Sequence, residues 1–353
     1  MADKMRIEMD SHKLNHHPDR VADWLRGKNV YPIYVEIGTT STCNHRCTFC
    51  ALDFTGYKGE SLDTNVLINA LTDMGKNGVK ACMFGGEGEP TLHKDFSFLV
   101  GHAKKIGLDV ALTTNGVPFT KKKAEQCLGH LSWIKFSIDA GTPETYAKLH
   151  GTKQGDFERL MDNIKASVEI KNKNGYSVTI GTQILLVDDN ANEAVGLAEK
   201  VKNIGVDYLV VKPYSQHHDS FHKINVDYSK FNWLQQQLET LNSEDFKVIF
   251  RSETMHKLNV ERSYPACYGA SFFALIDAKG NVIPCNLFYD KENFYYGNLY
   301  KNSFSEIWEG EKRQKVLGKI CNGTDNCREN CRLDAINRYL HSLKDHPEHI
   351  NFI

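Results

Sequence analysis

Short, β-branched apolar runs alternate with longer stretches in which apolar residues recur every three or four positions. The runs Ile33–Ile37, Val79–Phe84, Asp109–Thr113, Trp133–Ser137, Ser177–Leu186 and Tyr208–Lys212 read as strands. Between them, Asp63–Lys76, His93–Ile106, Lys121–Leu128, Asp156–Lys173 and Ala191–Ile204 read as helices. Thr142-Pro143-Glu144 marks another helix start, with Thr142 as N-cap and Pro143 as first helical residue. Residues 18–27 form a short helix ended by Gly27. Six strand-to-helix units imply an α/β fold with a parallel sheet and helical crossovers. Since eight units close a full barrel, six predict a partial (β/α)6 barrel, although a flat doubly wound sheet has the same local pattern.

The pattern changes after residue 226. Asp227–Leu241 reads as a helix carrying Trp233, Leu234 and Leu238 on one face. Beyond Ser263 the chain becomes cysteine-rich. A hairpin is expected there, with strands Phe272–Ile276 and Asn281–Pro284 around the turn Asp277-Ala278-Lys279-Gly280. Ser303–Glu309 and Leu333–Leu343 read as closing helices. The expected organisation is an N-terminal extension (1–31), a core (32–226), a connecting helix and strand region (227–262) and a small cysteine-rich domain (263–353).

Composition narrows the setting. The 353 residues carry a net charge of −1, which offers no electrostatic attraction to nucleic acid or an anionic membrane. No apolar run approaches the ~20 residues of a membrane span, and Met1 to His17 is polar and charged, unlike a secretory signal. Ten cysteines in such a chain read as metal ligands or free thiols rather than disulfides. The expectation is a soluble cytoplasmic protein.

Three of those cysteines, Cys43, Cys47 and Cys50, lie in one eight-residue run after the first strand. Three thiolates can wrap one side of a metal centre. A [4Fe–4S] cluster normally takes four cysteines, so three leave one iron open to bind and activate a ligand. A closed zinc site would need a fourth ligand, for which His45 is the nearby candidate. Other unusual residues follow the other strands. They are Gly85-Gly86-Glu87-Gly88-Glu89-Pro90 after the second, Thr114-Asn115-Gly116 after the third and Ser137-Ile138-Asp139 ending the fourth. Gln183 lies in the fifth, and the sixth runs into Lys212-Pro213-Tyr214-Ser215-Gln216-His217-His218. Taken singly, a glycine-rich turn or a Ser-x-Asp is most simply a turn or a cap. Their shared place at the carboxyl ends of parallel strands is where such folds bind ligands.

The spacing Cys43-x3-Cys47-x2-Cys50 after a first strand resembles the cluster motif of the radical S-adenosylmethionine (SAM) superfamily. The resemblance covers residues 32–215 or so. It implies a [4Fe–4S] cluster on the catalytic Cys43, Cys47 and Cys50, with SAM at the open iron. Phe49 would pack against adenine, and Gly86 to Pro90 would hold the methionyl amine. Where the family pattern is Gly-Gly-Glu-Pro, this chain has Glu87-Gly88-Glu89-Pro90. Ser137 and Asp139 match a position that contacts the ribose or carboxylate, and Asn115 and Gln183 join the cofactor-binding candidates. The resemblance further implies one-electron cleavage of SAM to methionine and a 5′-deoxyadenosyl radical, with an external donor such as flavodoxin or ferredoxin.

A second group, Cys267, Cys285, Cys321, Cys327 and Cys331, brackets and follows the hairpin. It resembles the auxiliary-cluster domain called SPASM, or its shorter relative called twitch. Gly318 occupies the place of one expected cysteine, and no cysteine follows Cys331. Five cysteines cannot supply eight ligands, so one auxiliary [4Fe–4S] cluster is expected. Its ligands would be Cys267, Cys285 and Cys331, with Cys327 or Cys321 as fourth; the alternative from the residues alone is a zinc knot. Cys82 and Cys127 read as core thiols. An auxiliary cluster that accepts an electron favours oxidation or dehydrogenation, and epimerisation remains open. About 31 residues precede the first strand, too few for a peptide-recognition domain. The preferred substrate is therefore a small polar metabolite, such as a sugar, nucleotide-sugar or aminocyclitol. Lys212, Tyr214, Gln216, His217 and His218 are candidate contacts, and Glu87 and Asp139 candidate bases. The alternatives are a peptide maturase and a non-enzymatic electron carrier or zinc-structured module.

Overall fold

The six expected strands appear as β1 (Tyr34–Ile37), β2 (Ala81–Phe84), β3 (Asp109–Thr114), β4 (Trp133–Ser137), β5 (Thr179–Leu186) and β6 (Tyr208–Pro213). The computed structural model describes residues 12–256, 262–321 and 327–352. Residues 1–11 of the expected extension, 257–261 of the connecting region and the spacer 322–326 between Cys321 and Cys327 lie outside the described residues. Four further strands extend the sheet: β7 (Lys247–Phe250), β8 (Phe273–Ile276), β9 (Asn281–Ile283) and β10 (Gly297–Asn298). They complete one ten-stranded sheet in the order β10-β9-β8-β1-β2-β3-β4-β5-β6-β7.

Strands β1 to β7 run parallel in chain order. The parallel run therefore exceeds the six strands expected. The seventh strand has four residues, of which only Val248 is buried, too weak a pattern to read locally. More consequential is β8, which pairs in parallel with the free edge of β1, Tyr34 opposite Phe273 and Ile37 opposite Ile276. The cysteine-rich segment is thus hydrogen-bonded into the barrel sheet, and all four residues of β8 are buried, as befits a strand covered on both faces. The expected hairpin forms from β8 and β9.

The helices are α1 (Pro18–Leu25), α2 (Thr64–Lys76), α3 (Phe96–Lys105), α4 (Lys121–Cys127), α5 (Pro143–His150), α6 (Gly155–Asn174) and α7 (Ala194–Ile204), then α8 (Asn232–Glu239), α9 (Ser252–His256), α10 (Phe304–Glu309), α11 (Glu311–Cys321) and α12 (Asp334–Lys344). Their starts follow local chemistry. Asp63 accepts from the amides of Asn65 and Val66 at the head of α2, and Ser303 and Glu306 close a capping box on α10. Asp227, in contrast, caps a separate 3₁₀ turn, Tyr228–Phe231, which makes α8 shorter than its apolar pattern suggested. Among the described residues, no helix is long and apolar enough to cross a membrane.

Strand periodicity divides the sheet into two chemistries. Val35, Ile37, Cys82, Phe84, Leu112, Ile134 and Phe136 are buried in the main core, and Cys127 of α4 joins them. The alternate positions Tyr34, Glu36, Met83, Thr113, Lys135, Gln183 and Lys212 line a central cavity of about 770 Å³. Gly181 gives room on this inner wall, because a Cβ there would sit 2.0 Å from the Tyr208 ring. Trp308 of α10 is fully buried, and its indole donates to the Val30 carbonyl at 2.8 Å, tying the segment before β1 to the helices after β10.

Candidate active site

The loop after β1 is held from both sides. The amides of Arg46 and Thr48 donate to the carbonyls of His150 and Leu149, each at 2.9 Å. On the other side, Ser41 donates from its amide to the Glu60 carbonyl. Cys43, Cys47 and Cys50 all line the cavity. Burial pushes all three thiols up, Cys43 to about 12, so ionisation there awaits an electropositive partner such as a metal. The Tyr57 hydroxyl bonds to Cys50 and partly opposes its rise, and the Arg46 guanidinium lies 4.1 Å over the Tyr57 ring. His150 brings Nδ1 to 3.3 Å from Cys47 Sγ and Nε2 to 3.1 Å from the Ile138 carbonyl. His150 and Tyr57 escaped the sequence reading, since neither belongs to a recognisable motif.

The donor set bears on what the loop would hold. Cys43, Cys47 and Cys50 bring three thiols to one cavity, soft sulfur donors of the kind that hold iron–sulfur clusters. Among the described residues, His45, Cys47 and His150 also bring three side-chain ligand atoms within 4.8 Å of one another.

The glycine-rich strip docks directly on this loop. The amide of Glu89 donates to the Thr42 carbonyl at 2.8 Å. Gly88 has φ +67°, and a Cβ there would lie 2.1 Å from the Thr40 carbonyl oxygen, so only glycine allows this approach. Gly88→Ala is expected to lower stability by about 2–5 kcal/mol, read as a reduced urea midpoint. An unchanged midpoint would mean that the approach is not needed. Gly86, Glu87 and Gly88 line the cavity. The Glu87 carboxylate accepts from the Ala278 amide at 2.7 Å and is pushed up to about 7 by burial; it joins the strip to the β8–β9 turn. The Glu89 carboxylate, placed among the cofactor contacts from sequence, takes donors from the Thr91 amide and hydroxyl, the Thr114 hydroxyl and the Asn115 amide. These four bonds make it a bracket between the loops after β2 and β3. Asn115 in turn donates to Asn44 Oδ1 at 2.8 Å within the cysteine run.

At the end of β4, Ser137 pairs in register with Gln183 of β5. Two residues on, Asp139 is buried with φ +48°, a conformation non-glycine residues rarely adopt. Its carboxylate accepts from the Leu185 amide and lies 3.5 Å from His150 Nε2. Burial pushes it up to about 7, against the pull of that amide and of Lys212 and Lys135. Gln183 lines the cavity, and its Oε1 is buried without a hydrogen-bond partner among the described residues. Phe49 also lines the cavity, packed with Leu149, Val187 and Tyr214.

Of the five substrate candidates after β6, the structure brings Lys212 and Tyr214 to the cavity. The other three are built into their own loop, a correction to the expectation. Gln216 donates to the carbonyls of His217 and His222 and accepts from the Ile224 amide. His217 is fully buried, stacked 4.6 Å from Phe54 and bonded to the Asn286 carbonyl. His218 is exposed beside it.

Three cysteines of the second group meet the same cavity. Cys285, Cys327 and Cys331 line it. The Cys285 thiol is pushed up first by burial, then by Cys331, Cys267 and Cys327. Cys267 is buried and accepts from Asn337 Nδ2 at 3.5 Å. Cys321 does not line the cavity. Its Sγ meets the Cys267 carbonyl at 3.5 Å, and its charged neighbours are Lys344 and Arg313. An ion pair between Arg332, next to Cys331, and Glu36 joins this segment to β1.

Known proteins agree with this geometry. Residues 37–209 match the radical SAM superfamily, and residues 267–332 match the SPASM iron–sulfur cluster-binding domain. The chain is similar to the tungsten-containing aldehyde ferredoxin oxidoreductase cofactor-modifying protein of Pyrococcus furiosus, 26% identical over 79% of this chain and 81% of that protein. It is also similar to the GTP 3′,8-cyclase of Vibrio vulnificus, 25% identical over 73% of this chain and 79% of that one. The match to the probable GTP 3′,8-cyclase of Methanosarcina acetivorans, 26% identical, spans 48% of this chain and 51% of that protein. Among solved structures, Streptococcus suis SuiB bound to precursor peptide SuiA superposes with a TM-score of 0.67 at 17% identity, over 97% of this chain and 81% of that one. Together the two domain matches imply a [4Fe–4S] cluster with SAM and an auxiliary Fe–S cluster. The chain belongs to the radical SAM superfamily, as an enzyme whose barrel is followed by a SPASM-type auxiliary iron–sulfur domain.

Proposed function

We propose that this enzyme uses SAM to abstract a hydrogen atom from a small polar metabolite held between its two cysteine sites. In this reading Cys43, Cys47 and Cys50 hold the SAM-binding cluster, and Cys267, Cys285, Cys327 and Cys331 hold the auxiliary one. When bound, the clusters supply one-electron transfer, the first to the sulfonium of SAM and the second to or from the substrate. The remaining work belongs to the protein. The strip from Gly86 to Gly88 presents backbone polar groups to the methionyl end of SAM. Phe49, backed by Leu149 and Val187, gives an apolar wall for the adenine and keeps water from the reacting carbon.

The observation that carries this reading is that cysteines of both groups line one cavity, Cys43, Cys47 and Cys50 from the first and Cys285, Cys327 and Cys331 from the second. A volume of about 770 Å³ is in the range of small-molecule sites. GTP, named as the substrate of the cyclase relatives, is itself a small molecule. Likeness to SuiB, which binds a precursor peptide, lies in the fold. The test is anaerobic reconstitution with iron and sulfide, then SAM and a low-potential reductant. About eight irons per chain and 5′-deoxyadenosine are expected. A reconstituted protein that makes no 5′-deoxyadenosine would overturn the reading.

A further inference from the structure

Two lysines on the inner wall of the barrel, Lys135 and Lys212, bring positive charge to the cavity. Lys135 of β4 and Lys212 of β6 line the cavity, as do Arg251, just after β7, and Arg332 from the auxiliary domain. The sheet register explains why they converge. Lys135 faces Gly181 across the β4–β5 pair, and Lys212 faces Leu185 across the β5–β6 pair. The Arg251 amide donates to the Val211 carbonyl, which continues the β6–β7 pairing and places Arg251 beside Lys212.

The two acids whose charge acts on Lys135, Glu36 and Asp139, have other partners. Glu36 is buried and takes the Arg332 guanidinium. Asp139 takes the Leu185 amide and faces His150. Among the described residues, neither Lys135 nor Lys212 has a carboxylate within ion-pair distance or a hydrogen-bond acceptor. The Lys135 ammonium lies 5.8 Å from the Trp133 ring centre. Burial lowers Lys135 to about 8, helped by Arg332 and Arg251. Lys212 falls well below its ordinary value through burial and then Lys135. Two ammonium groups facing each other's repulsion inside a cavity are costly unless an anion joins them. Neutral polar groups of Thr113 and Gln183 share the wall, and the Gln183 Oε1, unpartnered among the described residues, can accept from a ligand hydroxyl.

We propose that Lys135, Lys212 and Arg251, with Arg332 at their side, form a phosphate subsite, and that the substrate is a phosphorylated small metabolite. Lysines offer point charges and arginine a planar fork, the combination that suits phosphate oxygens. Recognition at the inner wall would hold the substrate by its phosphate and leave its carbon skeleton toward the cysteine loop. This deepens the small-metabolite reading and rests on it.

The test uses the anaerobically reconstituted enzyme saturated with SAM, with inorganic pyrophosphate as probe. Calorimetric titration should show pyrophosphate binding to the wild type, with a rise in melting temperature of a few degrees or more. Lys135→Met and Lys212→Met should each weaken that binding roughly tenfold or more. Lys135→Arg keeps the charge and should hold it within about threefold, which separates lost charge from lost folding. Pyrophosphate binding equally to wild type and methionine variants would place the anion elsewhere and overturn the subsite. So would its failure to bind once SAM is present, since the lysines would then serve the SAM carboxylate. Formation of 5′-deoxyadenosine by the same wild-type sample shows whether the radical reading stands regardless of these outcomes.

Discussion

Cys47→Ala should end SAM cleavage, lowering 5′-deoxyadenosine formation by about a thousandfold or more. Two thiolates cannot hold a cluster that normally needs at least three, and His45 and His150, packed beside Cys47, offer no replacement sulfur. The second group comes from a separate stretch of chain, residues 267–332, so the variant should retain its auxiliary iron. Iron content should therefore fall from about eight to about four per chain, while the protein stays folded. Retained 5′-deoxyadenosine formation would show that the loop after β1 is not the site of SAM chemistry.

Cys285→Ala should do the reverse. Cys285 lines the cavity and faces Cys331, Cys267 and Cys327, so its loss should remove the auxiliary iron, again leaving about four. SAM cleavage should persist, and the substrate-derived product should vanish. Turnover equal to wild type would exclude an electron-transfer role for the second site. Within this group, Cys327→Ala should behave like Cys285→Ala, and Cys321→Ala should keep the full iron content. Cys321 sits behind Cys267, away from the cavity, with Lys344 and Arg313 for neighbours.

Much of this could be read locally. Strands β1 to β6 announce themselves as short apolar runs, and the cysteine spacing is a short-range motif whose meaning does not depend on the rest of the chain. What stayed hidden was long-range pairing. Nothing in Phe273–Ile276 states that it will lie beside Tyr34–Ile37, more than two hundred residues earlier, so the auxiliary segment read as a separate domain. Polar residues at strand ends were visible, but their partners were not. Glu89 looked like a cofactor ligand until Thr91, Thr114 and Asn115 were seen to occupy it. His217 looked like a substrate contact until Phe54 and the Asn286 carbonyl buried it. Conversely, Lys135 looked like an ordinary residue in a short strand. Only the alternation of the sheet, which sends Ile134 and Phe136 into the core, turns Lys135 into the cavity.

Two iron–sulfur sites facing one cavity would be visible in diffraction from anaerobically grown crystals of the SAM-bound enzyme, measured at the iron edge. Two anomalous peaks are expected beside the cavity, one at Cys43, Cys47 and Cys50 and the other at Cys267, Cys285, Cys327 and Cys331. A single peak, or a second one centred away from the cavity at Cys321, would contradict this arrangement.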